Sequence, residues 1–359
     1  MIRIFMIGYS EKKGGVETYI SNLCSNLNNN VFEVIYSMPE MTIDGKMWCR
    51  PKNRHNYFEY RRFWKAFYKE NKFDVVYLNT CDVVSIDDLV FAKKAGVPVR
   101  IIHSHSSKNQ RTINKKLVWL HNVLEKYNRK NLEKYATHLF ACSELAGKWL
   151  FEEKKFKIIK NGIRLSDYYY NEGKRAKVRY DNGYGNEKLV GIVGRISEVK
   201  NPLFAVKVLE KLFTYEQNVK AVFLGDGELK NETEKTVREL GLENRIQFMG
   251  AVENINEWMS GLDCLIMPSL YEGLPFTLVE AQAASLPCVV SSNVSDEANL
   301  SDGICFVDLN ESLETWCKVI LGFLNTDRVN KTEKLVEQGY SIEETANEVT
   351  RIIKAACLK

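Results

Sequence analysis

The chain has 359 residues, more than the ~250 at which single hydrophobic cores usually stop growing, and this length predicts two domains. Hydrophobic residues make up 45% and charged residues 27%, a balance that excludes general disorder. The nine cysteines form no C-x-x-C pair, and no apolar run approaches the roughly 20 residues of a membrane span. We therefore expect a cytoplasmic protein without a zinc site.

Charge is distributed unevenly along the chain. Residues 1–180 carry 33 basic and 18 acidic side chains, whereas residues 181–359 carry 17 and 28. The halves therefore have net charges of +15 and −11. A basic half favours an anionic partner, such as a phospholipid surface, a diphosphate-linked acceptor or nucleic acid, although solvated helix faces explain most single lysines equally well.

Short apolar runs alternate with helical segments along the chain. The runs are continuous, as expected for parallel strands covered by helices on both faces. We therefore predict the α/β class, with two Rossmann-like, doubly wound parallel-sheet domains facing across a cleft. The predicted strands are Ile2–Ile7, Val31–Tyr36, Val75–Leu78, Val99–His103, His138–Ala141, Lys157–Ile159, Leu189–Val193, Lys220–Leu224, Ile246–Phe248, Cys264–Met267, Cys288–Ser291 and Gly303–Val307.

Domain boundaries follow from the polar segment Arg164–Lys188, which shows little periodicity and is predicted to be a linker. We assign residues 1–165 to the first domain and 166–340 to the second, with the linker at 166–187. A capping-box pattern at Ser341 predicts a last helix over residues 341–359.

The stretch Asn56–Lys72 interleaves aromatic and basic residues, a composition typical of nucleic-acid or membrane surfaces. Tyr57, Tyr60, Trp64 and Phe67, however, follow helical spacing along one stripe. We favour a helix with an apolar inner face and a basic outer face, and we expect no nucleic-acid partner.

Two candidate ligand positions lie in the first half. Gly14 and Gly15 open a helix after the first strand, where free N–H groups favour a phosphate, although a plain tight turn explains them as well. His103 ends the fourth predicted strand, at the edge where open α/β sheets bind ligands. It is predicted to donate to a sugar hydroxyl or to developing charge, with a structural role as the alternative.

In the second half, the strand Leu189–Val193 is followed by Gly194, Arg195 and Lys200. Two cations beside a helix start form a clamp for a diphosphate, and surface solvation is the alternative. The next strand leads into Gly225-Asp226-Gly227, where the glycines are predicted to leave room for a base or ribose, although a turn alone accounts for them.

The most specific pattern is a pair of acids eight residues apart. Glu272 lies in a Gly-x-Pro turn, and Glu280 lies in the following helix between apolar neighbours. A buried acid is costly unless it is hydrogen-bonded, and sugar hydroxyls would satisfy it. The alternative is a structural ion pair.

Over nearly the full length these motifs resemble glycosyltransferase family 4, of the GT-B fold, and in particular its bacterial capsule and exopolysaccharide branch. The segments that carry the resemblance are Gly14–Glu17, Arg100–His105, Cys142–Glu144, Lys160–Ile163, Val193–Arg195, Lys200-Asn201, Gly225–Gly227, Ser269–Pro275 and Glu280–Ala283.

The resemblance implies a retaining hexosyltransferase that needs no metal or other cofactor and uses a nucleotide diphosphate sugar, with UDP as the expected carrier. The implied catalytic residues are His103, Arg195, Lys200 and Glu272. The implied donor-binding residues are Gly14, Gly15, Gly194, Arg195, Lys200, Gly225, Asp226, Glu272, Gly273, Leu274 and Glu280.

Among these, Arg195 and Lys200 would contact the diphosphate and Glu280 the ribose. Glu272 would bind the transferred sugar together with the backbone amides of Gly273 and Leu274.

By the same resemblance, the acceptor would be a glycan or a polyprenyl-diphosphate-linked saccharide, which we expect to be recognised around Lys108–Lys116. The basic first domain would contact the anionic membrane peripherally, at the inner face of the plasma membrane. The last helix would return to the first domain.

Three other functions are compatible with parts of the sequence. A nucleotide-sugar epimerase or phosphorylase would use the same fold and ligand. A non-catalytic membrane or nucleic-acid binder would use the basic half and would not need Glu272 or Glu280. A nicotinamide oxidoreductase is disfavoured because G-x-G-x-x-G is absent and Tyr36-Ser37 stands where an acid is needed.

Overall fold

The computed structural model of the protein describes residues 1–9, 14–38, 47–49, 57–106 and 118–358. The chain forms two compact units, the first of Met1–Gly162 with Ile342–Lys359 and the second of Ile163–Ser341. These boundaries lie three residues and one residue from the predicted ones. Counted by unit, the first carries a net charge of +12 and the second −8, so the uneven charge follows the division into units.

The first unit is built on a seven-stranded parallel sheet with the order β3-β2-β1-β4-β5-β6-β7. Its strands are β1 (Ile2–Ile7), β2 (Phe32–Met38), β3 (Met47–Cys49), β4 (Val75–Thr80), β5 (Val99–Ser104), β6 (His138–Ala141) and β7 (Lys157–Ile158). Its helices are α1 (Gly15–Asn26), α2 (Tyr57–Glu70), α3 (Asp87–Lys94), α4 (Val118–Tyr135), α5 (Glu144–Phe151) and the last helix of the chain, α14 (Ile342–Cys357).

The second unit is built on a six-stranded parallel sheet with the order β10-β9-β8-β11-β12-β13. Its strands are β8 (Lys188–Val193), β9 (Val219–Leu224), β10 (Ile246–Gly250), β11 (Cys264–Met267), β12 (Cys288–Ser291) and β13 (Ile304–Val307). Its helices are α6 (Leu165–Tyr168), α7 (Glu172–Asp181), α8 (Pro202–Tyr215), α9 (Lys230–Glu239), α10 (Ile255–Gly261), α11 (Phe276–Ala283), α12 (Leu313–Leu324) and α13 (Thr332–Glu337).

The predicted strands are all present, because a strand covered on both faces must be apolar throughout. All four residues of β11 and of β12, for example, are buried. The sequence did not reveal β3, which has three residues at the edge of its sheet. A strand of that length gives no apolar run to recognise.

Helix α2 confirms the prediction for the aromatic-basic stretch. Tyr60, Trp64 and Phe67 are buried, whereas Arg61 and Lys65 are exposed. Trp64 and Phe67 contact Phe5 of β1, with ring centroids 6.3 and 5.1 Å away, and Tyr60 contacts Trp64. The stripe is therefore part of the core of the first unit.

The prediction of a linker at 166–187 was wrong. The segment contains α6 and α7, which pack against α10. Much of this attachment is polar. The guanidinium nitrogens of Arg175 and Arg179 lie 2.7 and 3.2 Å from the carboxylate oxygens of Asp263. The same carboxylate accepts a hydrogen bond from the Leu189 amide. Packing through arginines gives little apolar periodicity, which is why the sequence suggested a linker.

The chain passes between the units twice, and the two passages are neighbours. The amide of Ile163 donates to the carbonyl of Tyr340, and Ile163 forms a parallel bridge with Ser341. Beyond this point α14 packs against α1 in the first unit. Among the described residues, no helix combines the length and apolar character that crossing a bilayer requires.

We predict that Asp263→Asn destabilises the second unit. Asp263 is largely buried and neutralises two arginines, so its loss should cost roughly 3 kcal/mol of unfolding free energy because buried guanidinium charge is left unpaired. Urea denaturation measures the change. The control is Asp181→Asn, which removes an exposed pair with Lys177 and should leave the midpoint unchanged. Equal effects of the two substitutions would contradict the structural role.

Candidate functional site

Two loops meet at the carboxyl ends of β8 and β9. Gly194 and Gly225 have positive φ angles of 127° and 151°, and the amide of Ile196 donates to the carbonyl of Asp226 at 2.9 Å. A Cβ atom on Gly225 would lie 1.9 Å from the Gly194 carbonyl oxygen. The Gly225 position therefore needs a glycine so that the two loops can approach, and the predicted room for a base or ribose stays a prediction.

The position of Lys200 is set by the backbone on both of its sides. Glu198–Lys200 form one 3₁₀ turn, Asn201 adopts the left-handed conformation (φ 54°, ψ 53°), and Pro202 begins α8. The amide of Leu270 donates to the carbonyl of Val199 at 2.8 Å. This hydrogen bond ties the loop after β11 to the turn that carries Lys200.

Lys200 and Glu272 form an ion pair in which Nζ lies 2.9 Å from Oε1. Each side chain is only 18% exposed, so the charges attract each other more strongly than they would on an open surface. The Glu272 backbone is fixed through its carbonyl, which accepts from the Ser295 amide at 3.1 Å. The ion pair considered as an alternative for Glu272 thus exists, and its partner is a residue of the predicted clamp.

Two backbone amides follow directly after this ion pair. Gly273 and Leu274 lie between Glu272 and the start of α11. Within the described ranges, neither amide donates a hydrogen bond to the protein. Unpaired N–H groups before a helix favour anions and hydroxyl oxygens, so this turn presents two donors beside the carboxylate of Glu272.

Arg195 borders the same region but points outward. Its side chain is 73% exposed, and its Nε lies 3.0 Å from the carboxylate of Glu228. A pocket at the ends of β8 and β11 is lined by Gly194, Arg195 and Lys200 together with apolar residues. Arg195 can reach a ligand there by exchanging an exposed ion pair, which contributes little to stability.

Asp226 is placed less favourably for the donor-binding role that the resemblance gave it. Its Oδ1 accepts from the amide of Gly227 at 2.7 Å, and its carboxylate lies 3.8 Å from Lys230. These contacts stay within its own turn and the start of α9. They shape the loop, while the carboxylate stays 64% exposed, so the donor-binding role of Asp226 stays a prediction.

Glu280 lies on α11 and is 9% exposed. Burial raises the pKa of its carboxyl to about 7, and a hydrogen bond from Tyr168, whose hydroxyl lies 2.9 Å from Oε1, opposes part of that shift. Tyr168 is a residue that the sequence analysis missed. It belongs to the Tyr168–Tyr170 run, which lay in the segment taken as a linker.

In the first unit, His103 has none of its surface exposed. Its Nδ1 lies 3.0 Å from the Tyr77 hydroxyl, which in turn lies 2.9 Å from the hydroxyl of Tyr19. Burial, followed by the proximity of His105, holds the pKa of His103 well below its usual range. The predicted contact of His103 with a ligand does not fit this enclosure, and the structural alternative does.

His105 shares the same cluster at the carboxyl ends of β4 and β5. Its ring centroid lies 4.1 Å from that of His103, and its Nε2 lies 3.0 Å from Oδ1 of Asn79. Burial lowers the pKa of His105 to about 3, although interaction with the Asn161 side chain offsets part of that shift. Both imidazoles are therefore neutral near pH 7, and the sequence motif marks a buried polar network.

Gly14 and Gly15 occupy the start of α1, as predicted. Gly14 is the N-cap residue, with an extended backbone (φ −145°, ψ −179°), and Gly15 is the first helical residue. The turn before them, like the predicted acceptor segment Lys108–Lys116, lies outside the described residues. Within the described part of the chain, no group of three or more His, Cys, Asp or Glu side chains is arranged to hold a metal ion.

The chain is similar to known glycosyltransferases. Residues 175–342 match the family model "Glycosyl transferases group 1". The chain is 28% identical over 372 residues to the putative glycosyltransferase EpsF of Bacillus subtilis, covering 98% of this chain and 96% of that protein. It is 26% identical over 237 residues to an Escherichia coli UDP-Gal:alpha-D-GlcNAc-diphosphoundecaprenol alpha-1,3-galactosyltransferase, covering 62% and 59%.

Among solved structures, the fold is similar to that of HepE from Anabaena, solved in complex with UDP-glucose. The TM-score is 0.79 at 16% identity, and the alignment covers 99% of this chain and 100% of HepE. The two parallel sheets with their helices thus form the GT-B fold, which confirms the predicted fold class.

We predict that Gly225→Ala disturbs the meeting of the two loops. A positive φ penalises alanine at any site, and here the added Cβ also meets the Gly194 carbonyl, so the cost should be roughly 2 kcal/mol larger than for a glycine in open space. The matched control is Gly241→Ala, where φ is 66° and no atom lies within 4 Å. Equal urea midpoints for the two variants would rule out the steric requirement.

We also predict that Glu280→Gln changes how stability depends on pH. Because burial raises the carboxyl pKa from 4.5 to about 7 in the folded state, the stability it contributes below pH 4.5 is lost as pH rises through 7. Glutamine does not ionise, so the variant should gain up to about 3 kcal/mol relative to the wild type between pH 4.5 and 8.

Thermal unfolding of both proteins at pH 5 and pH 8 measures this gain. The control Glu243→Gln changes an exposed carboxylate and should show the same difference from the wild type at both pH values. A gain of equal size at pH 5 and pH 8 for Glu280→Gln would mean that Glu280 does not titrate as described.

Proposed function

Because the chain is a glycosyltransferase of the GT-B fold with a group 1 domain in its second unit, we propose that it transfers a sugar from a UDP-sugar to a lipid-diphosphate-linked saccharide. The name of the E. coli relative, which states both a UDP donor and a diphosphoundecaprenol-linked acceptor, supports both choices. The product would enter cell-surface polysaccharide. As the resemblance to family 4 implies, we further propose that the configuration at the transferred carbon is retained.

The observation that carries this proposal is the grouping around Lys200. The lysine ammonium, the Glu272 carboxylate and the amides of Gly273 and Leu274, which donate to none of the residues that the structure describes, lie on one stretch of the carboxyl edge of the sheet. The ammonium suits a phosphate oxygen, whereas the carboxylate and amides suit sugar hydroxyls, which both donate and accept. A nucleotide diphosphate sugar carries both kinds of group next to each other.

We assign the residues of the second unit as follows. Arg195 leaves Glu228 and joins Lys200 on the diphosphate, while Glu272 and the two amides hold the sugar. Glu280, oriented by Tyr168, accepts from the ribose hydroxyls. His103 is left out of direct contact because of its enclosure.

In the proposed reaction, a bond forms between the acceptor hydroxyl oxygen and the anomeric carbon while the bond from that carbon to the phosphate oxygen breaks. The acceptor proton passes to the departing phosphate oxygen on the same face of the sugar. Lys200 and Arg195 stabilise the negative charge that builds on the diphosphate. Because these side chains provide the positive charge, we propose that transfer needs no divalent metal.

We expect Lys200→Ala and Glu272→Gln each to lower kcat/KM by about 100-fold or more, because each removes a charged group that we place at the reacting centre. The assay measures UDP released from a UDP-sugar with and without a lipid-diphosphate-linked acceptor. The control is Lys235→Ala, an exposed lysine paired with Glu239, which should keep wild-type activity. Urea midpoints identify any variant that fails to fold.

The same assay tests the rest of the proposal. Addition of EDTA should leave the rate unchanged, and analysis of the product linkage should show retention. Release of UDP that does not depend on acceptor, or conversion of the donor to an epimer, would replace transfer with hydrolysis or isomerisation.

A further inference from the structure

Helix α11 carries a buried glutamine that the proposed reaction does not use. Gln282 is 1% exposed, and its Nε2 donates to the carbonyls of Leu278 and Ala298, at 2.9 and 2.8 Å. Its Oε1 accepts from the amides of Leu300 and Ser301, at 2.8 and 3.0 Å, and from the Ser301 hydroxyl at 3.1 Å. A primary amide is costly to bury without partners, so these hydrogen bonds, and not packing alone, account for a glutamine here.

Most of these partners lie in the loop between β12 and β13, residues 292–303, which we call the β12–β13 loop. It contains one 3₁₀ turn, Asp296–Ala298. The Ala298 amide donates to the Ser295 carbonyl at 3.0 Å, and the Ser295 hydroxyl accepts from the Glu297 amide at 3.2 Å. Gln282 therefore holds one end of a closed turn whose other end is Ser295.

The Ser295 end of this loop supports the backbone that carries Glu272. The Ser295 amide donates to the Glu272 carbonyl at 3.1 Å, and Val294 forms a parallel bridge with Glu272. The same stretch of chain is tied on its other side by the hydrogen bond from the Leu270 amide to the Val199 carbonyl. Helix α11 follows directly, so Gln282 joins the helix that leaves this turn to the loop that lies beside it.

We propose that Gln282 is a positioning residue for the donor sugar. It acts through the β12–β13 loop, which holds the Glu272 carboxylate and the amides of Gly273 and Leu274 in place. In the unliganded protein Lys200 also holds Glu272, at 2.9 Å. Once a diphosphate shares the ammonium, that attraction weakens, and the support of the backbone decides where the carboxylate lies.

The inference rests on the proposed function, because that function places the sugar against Glu272. The chain offers a matched control in a second glutamine that contacts the same loop. Gln338 is exposed, and its Nε2 donates to the Leu300 carbonyl at 2.9 Å. Gln338→Leu therefore removes one hydrogen bond to the loop and leaves those of Gln282 in place.

Hydrogen exchange in the full chain, without donor or acceptor, tests the support of the turn. Mass spectrometry with electron-transfer fragmentation reads single amides. Gln282→Leu should speed exchange about tenfold or more at the Ser295 and Leu270 amides, whose acceptors lie elsewhere in the chain. Gln338→Leu should leave both near their wild-type rates. Unchanged exchange at these two amides in Gln282→Leu, or an equal rise in the control, would overturn the proposal.

UDP affinity and turnover test the consequence for the sugar. Calorimetry with UDP should give Gln282→Leu a Kd within about threefold of the wild type, because the proposed UDP contacts lie outside the β12–β13 loop. Its kcat/KM with the fastest of a panel of UDP-hexoses should fall about tenfold or more, since a displaced sugar reacts slowly. An equal loss of UDP affinity and of kcat/KM would contradict a role confined to the sugar.

Two further variants separate positioning from general loss of stability. Asp263→Asn weakens the second unit at the amino end of β11 and should keep wild-type kcat/KM while it is folded. Ser301→Ala removes one of the five hydrogen bonds of Gln282 and should change the same amides and kcat/KM in the same direction, by about two- to fourfold. If urea midpoints show that Gln282→Leu does not fold, Ser301→Ala carries the test.

Failure of this inference and failure of the proposed function give different results, because exchange in the unliganded chain does not depend on what the chain binds. A chain that shows the expected exchange but releases no UDP from any donor keeps the hold of Gln282 on the turn and loses the proposed function. A chain that transfers sugar but shows unchanged exchange in Gln282→Leu loses only the role of Gln282.

Discussion

The second unit depends on the neutralisation of one largely buried lysine. Lys200 sits on a turn that is held by the hydrogen bond from Leu270 to Val199, and this link brings Glu272 within 2.9 Å of the ammonium. Either charge alone would be costly in a largely buried position, so the turn that carries Lys200 and the loop that carries Glu272 have to lie together. The two amides beside Glu272, which have no acceptor in the described part of the chain, are then positioned by the same loop. The parallel sheet supplies the common edge, and the ion pair sets which atoms would face the proposed donor.

A second constraint is a carboxyl group whose ionised form lowers the stability of the fold. Glu280 is buried, its one hydrogen-bond partner among the described residues is the hydroxyl of Tyr168, and its raised pKa reflects the free energy needed to ionise it. Groups held at such a cost are found most often where a ligand uses them. By contrast, the nearby Gln282 has both ends of its amide bonded within the protein, to the Leu278 carbonyl and the Leu300 amide among others. Both side chains lie on α11, but the Glu280 carboxylate has more hydrogen-bonding capacity left for a ligand than the Gln282 amide has.

The fold could be predicted from the sequence because buried parallel strands must be apolar along their whole length. The prediction failed where polar groups do the packing, as in α7, whose arginines reach Asp263. The sequence correctly placed His103 near the end of a strand. It did not show that the side chain is enclosed by aromatic rings and has no exposed surface. The partner of Glu280 lies 112 residues away, and that distance leaves no local pattern to read.

The neighbouring passages at Ile163 and Ser341 make the second unit an insertion within the first, with its two ends side by side. On the ribosome, the inserted unit is therefore synthesised in full before the first unit receives α14. Until then, the surface of α1 that this helix covers is open to water, as are the sites for its buried residues Val349 and Ile353. The first unit therefore stays incomplete while its insertion is synthesised, and α14 completes it only after the second unit has been made.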